Sequence, residues 1–170
     1  MGAEQRARLG ARQAELVAAL VIGAAAPEGF DRADLEATAL SLKRKRLRVM
    51  RSLCPALERA LEGRLEPLFI DFASERALPC EGGALADLRG FLRHLMAEER
   101  APAGRCRNLL RVEALRIDLH FRSTAAGLRR DPAALRVRCE RLSSPSRLLI
   151  GVRVRGYGAR WLSLPPWPLG

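Results

Sequence analysis

The residues best suited to metal binding or nucleophilic attack are His94 and His120 and the four cysteines Cys54, Cys80, Cys106 and Cys139. Their spacing supports neither chemistry. Neither histidine has a second histidine or a cysteine at ligand spacing, and the thiols form no CxxC pair. His94 sits beside Leu95 in a helical pattern and His120 ends another, so both read as surface or packing residues. The cysteines read as free, partly buried thiols rather than a zinc site or a disulfide framework. Glu98 and Glu99 are adjacent, so on a helix their carboxylates diverge and form no acid–base pair. Gly82-Gly83 and Gly156-Tyr157-Gly158 lack the Lys and Ser/Thr of a phosphate loop, and there is no GxSxG elbow. The expectation is a chain without catalytic residues, metal ligands or cofactor, and hence one that binds rather than catalyses.

Two segments are candidates for binding. The first is the basic run Lys43-Arg44-Lys45-Arg46-Leu47-Arg48-Val49-Met50-Arg51. On a helix, Arg44, Arg48 and Arg51 stack along one face, a pattern that neutralises phosphates and gives salt-dependent binding. A DNA-reading helix would follow with Asn, Gln or Arg, whereas residues 55–62 offer Glu58, Arg59 and Glu62. The second candidate is residues 148–155, where Leu148, Ile150, Val152 and Val154 alternate with Leu149, Gly151, Arg153 and Arg155. Read as an edge strand, it would accept an extended peptide through its backbone, while Arg153 and Arg155 draw in an acidic segment. Trp161 and Trp167 are the chain's two tryptophans and suit an interface. The competing reading has Trp161 packing the sheet on the helices and the arginines protecting the edge.

Several elements must position these segments. Leu9, Gln13, Leu16, Leu20 and Gly23 mark a helix over 4–22, which Gly23 and Pro27 close. Asp31 is placed to cap a second helix over 32–53, with Leu35, Ala39, Leu42, Val49, Met50 and Leu53 as its buried stripe. Two short helices follow, one with Leu57 and Leu61 that stops at Gly63, the other with Leu65, Leu68, Phe69 and Phe72. A fifth, over 84–99, offers Leu85, Leu88, Phe91, Leu92 and Leu95. A turn at 101–104 leads to a sixth, over 105–121. After Ser123 the period changes to two, at 135–139, 148–155 and 159–164. This is an α+β chain, mainly α, with a helical domain over 1–122 and a small antiparallel three-stranded module over 123–170.

The net charge of +11 suits acidic partners. Lys43 and Lys45 are the only lysines, however, and so strong an arginine bias is equally the mark of GC-rich coding. The longest apolar run, Leu16 to Ala26, is too short to span a bilayer. Glu4 and Glu15 flank it where a signal peptide would be cationic. The expected setting is cytoplasmic, away from membranes.

The basic helix is followed by Leu53-Cys54-Pro55, Leu61-Glu62-Gly63 and Leu68-Phe69. Leu85-Ala86-Asp87-Leu88, Phe91-Leu92 and Leu110-Arg111-Val112-Glu113-Ala114-Leu115 come next. This order, over roughly residues 10 to 120, resembles a bacterial family labelled a DNA-binding domain. Family members usually carry Phe-Pro where Cys54-Pro55 stands here, and Leu-Gly-Glu where this chain has Leu61-Glu62-Gly63. Such proteins are often encoded beside multinuclear non-haem iron oxidases that modify ribosomally made peptides, as in methanobactin biosynthesis. The resemblance implies a non-catalytic partner that supplies no metal ligands, binds the oxidase and presents its precursor peptide. The alternative is a DNA-binding regulator that uses residues 43–51.

Overall fold

The computed structural model describes residues 2–98, 104–143 and 146–165. Six helices come first: α1 (Ala3–Ile22), α2 (Arg32–Leu53), α3 (Ala56–Ala60), α4 (Leu65–Ser74), α5 (Gly83–Ala97) and α6 (Arg105–His120). A two-stranded hairpin, β1 (Phe121–Thr124) and β2 (Gly127–Arg130), precedes the three-stranded antiparallel meander of β3 (Leu135–Ser143), β4 (Ser146–Val154) and β5 (Gly158–Leu164). The expected helices and meander are present. The hairpin was not anticipated, because its strands are four residues long and Ala125-Ala126 carries no turn signal. The turn at 101–104 lies outside the described residues except for Gly104.

By contacts, the chain divides into two compact units that alternate in sequence. One comprises Met1–Val49 and Arg64–Ala77, so it holds α1, most of α2, and α4. Its fully buried side chains are Leu47, Leu65 and Phe69, with Phe72 nearly so and its ring centroid 5.9 Å from that of Phe69. Asp31 caps α2, its Oδ1 accepting the Ala33 N–H at 2.7 Å. The buried stripe of α2 follows the expected one only in part, with Met50 buried and Leu35, Ala39 and Leu53 half-buried. Leu47 is its centre, while Leu42 and Val49 are 40% and 43% exposed. Lys43 tilts inward because its ammonium donates to Ser74 Oγ at 2.9 Å, which lets its stem lie along apolar surface. Along α1 only Ala19 is buried, and Leu9, Val17 and Ile22 stay half exposed or more.

The other unit comprises Met50–Gly63 and Leu78–Gly170. Leu88, Phe91, Leu92 and Leu95 of α5 and Leu110 and Leu119 of α6 form its core at essentially zero exposure. Arg89 of α5 forks onto both carboxylate oxygens of Asp118 of α6, one bond measuring 3.0 Å. Removing one partner from so buried a pair leaves an uncompensated charge, at a cost of about 3–5 kcal/mol. The hairpin is sewn to the segment before α5 by Glu81. Its N–H donates to Ala126 and its carbonyl accepts from Leu128, both at 2.9 Å. The Glu81 carboxylate accepts from Thr124 Oγ1 at 2.8 Å and from Arg129 at 2.5 Å, and these bonds hold its carboxyl below the usual range.

The turn after α3 carries a local conflict. Glu62 has φ +52° and Gly63 φ +78°, so two successive residues are left-handed and only the second is glycine. A side chain in that region costs about 1 kcal/mol or more. Glu62→Gly is therefore expected to raise unfolding stability by about 0.5–1 kcal/mol, the strain relieved outweighing glycine's greater unfolded-state entropy. A shifted urea midpoint at constant slope would show it; a lower midpoint would contradict it.

Candidate partner-docking face

The meander is paired in the order β3-β4-β5, with Val137 opposite Val152, Ile150 opposite Leu162 and Gly151 between Arg138 and Trp161. Residues directly opposite each other in an antiparallel sheet share a face. One face therefore carries Leu135, Val137, Cys139, Leu148, Ile150, Val152, Val154, Leu162 and Leu164. The other carries Arg136, Arg138, Glu140, Leu142, Leu149, Gly151, Arg153, Ala159 and Trp161. The second face is the one turned to α6. A Cβ on Gly151 would lie 2.5 Å from Leu119 Cδ1 and 2.7 Å from the Trp161 ring, so the missing side chain is what lets helix and indole close on the sheet.

The more apolar face thus points outward, while the inner face mixes arginines with Leu142, Leu149 and Trp161. The inward Arg136 and Arg153 are partly partnered, each keeping a buried Nε without a hydrogen-bond partner. Arg136 forms an ion pair with Asp131, and Arg153, 6% exposed, donates to the carbonyls of Asp131 at 3.2 Å and Ala133 at 3.0 Å. Outward, Leu135 is 60% exposed, Leu162 54%, Val137 46% and Val154 40%, with Arg141 and Arg160 as charged neighbours. A contiguous apolar sheet face left in water marks an interaction surface.

This topology corrects the expected peptide site. Residues 148–155 are not an edge: β4 is central, and the backbone from Leu148 to Val154 pairs with β3 and β5 on either side. Leu148, Ile150, Val152 and Val154 project outward from it, Arg153 projects inward, and Arg155 lies in the turn that follows. The outer strands are β3, which runs against α6, and β5, whose neighbour in the sheet is β4 alone. Trp161 lies on the inner side against Gly151, though still 41% exposed, and Trp167 is outside the described residues.

The basic run is largely occupied internally. Within the first unit Arg44 pairs with Glu66 at 3.1 Å, and Arg46 donates to the Arg76 carbonyl at 2.8 Å with its guanidinium 5.7 Å from the Phe69 ring centre. Within the second, Arg51 pairs with Glu58 at 2.8 Å. Lys45 and Arg48 are exposed. Glu58, one of the two acids noted at 58 and 62, is thus a counter-ion of the helix that carries the run, as is Glu66.

His94 Nδ1 lies 2.8 Å from Glu98 at the end of α5. Cys54 and Cys106 are buried, Cys80 and Cys139 exposed, and burial, reinforced by Glu113, pushes the Cys54 thiol up. Among the described residues no group of three His, Cys, Asp or Glu side chains is placed to hold a metal. No described helix is long and apolar enough to cross a membrane.

Residues 10–97, just over half the chain, match the family model described as SCO6045-like, C-terminal domain. The chain belongs to that family. The match runs from within α1 to the end of α5, so the hairpin and the meander lie beyond it. A UPF0276 protein of Streptomyces avermitilis is similar, with 37% identity over 106 residues, which is 62% of this chain. The chain spans only 21% of that relative's length. No solved structure matches.

Proposed function

We propose that the protein is a non-catalytic accessory subunit that docks on a multinuclear non-haem iron oxidase and holds that enzyme's ribosomal precursor peptide. The observation that carries this reading is the outward apolar face of the meander, centred on Val137, Ile150, Val152 and Leu162. The comparisons support a large protein as its occupant. The family is described as a C-terminal domain, and in the Streptomyces relative the corresponding segment is a fifth of a longer polypeptide. The meander lies beyond the family match, and its nine outward apolar side chains offer a surface on which a larger partner can dock. The precursor peptide is assigned to the free edge of β5, where an added strand gains main-chain hydrogen bonds and the net charge of +11 favours acidic sequences. DNA binding through residues 43–51 is less well supported, since Arg44, Arg46 and Arg51 already have internal partners.

Co-expression with the genetically adjacent protein, then size-exclusion chromatography in moderate salt, tests the first half. The expected result is a stoichiometric complex containing iron. Elution of the chain alone, combined with sequence-selective duplex binding that falls steeply with salt, would replace this reading with the regulator. Proline at Leu162 and at Ser163, made separately, tests the second half. Neighbouring N–H groups on a strand point to opposite edges, so one variant disrupts pairing with β4 and the other blocks only the free edge. The second is expected to stay folded and lose peptide binding. Parental peptide affinity in that folded variant would remove the peptide from β5.

A further inference from the structure

A pocket of about 580 Å³ lies where the end of α6, the end of β2 and the β4–β5 turn meet, bordering the docking face at Val154. His120, Arg130, Asp131, Arg153, Arg155 and Gly158 line it. Arg130, Arg153 and Arg155 thus line one cavity with a single acidic residue, Asp131. That carboxylate is already spent inside the fold: Asp131 is ion-paired to Arg136, and its Oδ1 accepts the Ala133 N–H at 2.8 Å. It leaves the lining arginines uncompensated.

Arg153 makes the site more than a surface cluster. It is 6% exposed and held rigidly by the carbonyls of Asp131 and Ala133, yet its Nε–H has no hydrogen-bond partner. A buried guanidinium with no carboxylate of its own leaves the cavity it lines electropositive. His120 reports the local field independently. Its imidazole is held below its ordinary pKa by burial and then by the charges of Arg153, Arg130 and Arg116. Arg130 and Arg155 are exposed at the pocket and free to fold onto a ligand.

We infer that this pocket is an oxyanion-binding site, with Arg153 as the fixed donor and Arg130 and Arg155 as closing arms. Carboxylate and phosphate share the required chemistry, since each presents paired oxygens to a guanidinium fork. The inference does not depend on the accessory reading, because it rests on Arg130, Arg153 and Arg155, although Val154 borders both the pocket and the docking face.

The test is an NMR titration of the full chain with inorganic phosphate in one arm and glutarate in the other, ionic strength being held constant with sodium chloride. Saturable shifts confined to the amides of His120, Arg155, Gly156 and Gly158 are expected. Tighter binding in the phosphate arm assigns the site to phosphoryl groups, and tighter binding in the glutarate arm assigns it to carboxylates. Arg130→Gln with Arg155→Gln should weaken binding at least tenfold while leaving the rest of the spectrum in place. Arg153 is left intact in this variant because its loss would disturb the loop it holds. Linear, non-saturating shifts in both arms, equal shifts along residues 43–51, or parental affinity in the double variant would each overturn the proposal.

Discussion

Gly127→Ala is expected to lower the stability of the sheet-bearing unit by about 3 kcal/mol or more, the largest effect of any single methyl addition considered for this chain. Gly127 has φ +139°, a region that side chains rarely enter. A Cβ there would press into the carbonyl oxygen of Glu81 and come within 3.0 Å of Pro79 Cβ. Backbone cannot step aside cheaply, because the same Glu81 carbonyl accepts from Leu128 and its N–H donates to Ala126. Strain of about 1–3 kcal/mol adds to overpacking of about 1–3 kcal/mol. Gly156→Ala is the control, since it also has positive φ (+88°) but open space around its Cβ. It should cost about 1 kcal/mol. Urea denaturation of the two variants decides the matter. Equal losses would mean that the Glu81 contact contributes nothing.

If the proposed oxidase docks on this face, Val137→Glu combined with Leu162→Glu is expected to weaken that complex at least 30-fold while leaving the fold almost intact. These residues stand on the two strands flanking β4, both on the outward face, and are 46% and 54% exposed. Little burial is lost in the free chain, so its stability should change by less than about 1 kcal/mol. In a complex, two carboxylates would be desolvated against an apolar surface, and central interface positions commonly cost about 2 kcal/mol or more when disrupted. Leu9→Glu, on the half-exposed face of α1, is the matched control and should bind as the parent does. Titration calorimetry against the purified partner measures all three. Unchanged affinity in the double variant would take the oxidase off this face, whatever the outcome for the peptide or the oxyanion pocket.

The helices were largely legible in the sequence because their signals are contiguous. Leu88, Phe91, Leu92 and Leu95 recur at helical spacing and all four are fully buried in α5. Asp31 was placed as a cap by its type and position, and it caps. Along α2 the period was legible but the phase only in part. In the basic run apolar residues occur on more than one side of the helix, and which side turns inward depends on Ser74, 31 residues after Lys43. The hairpin escaped because two four-residue strands give too short a pattern to separate from the tail of α6.

The sheet shows the division most clearly. Alternation over 148–155 assigned apolar and polar residues to opposite faces, as observed. It carried no information on which face meets a helix. Ordinary polarity would turn Ile150 and Val152 inward. The fold turns Gly151 and Arg153 inward instead, because Gly151 makes room for Leu119 and because the carbonyls at 131 and 133 receive the Arg153 guanidinium. Nor could a strand's own residues say whether it lies at an edge, since that depends on what pairs beside it. The sequence by itself determined the six helices, the meander and their order, all of which follow from periodicity, chain breakers and residue spacing. Only the tertiary structure decided that β4 is central, that the apolar face is the outer one and that His120, Arg130 and Arg153 share a pocket. Each of those facts is a contact between residues far apart in the chain, and such contacts leave no local pattern to read.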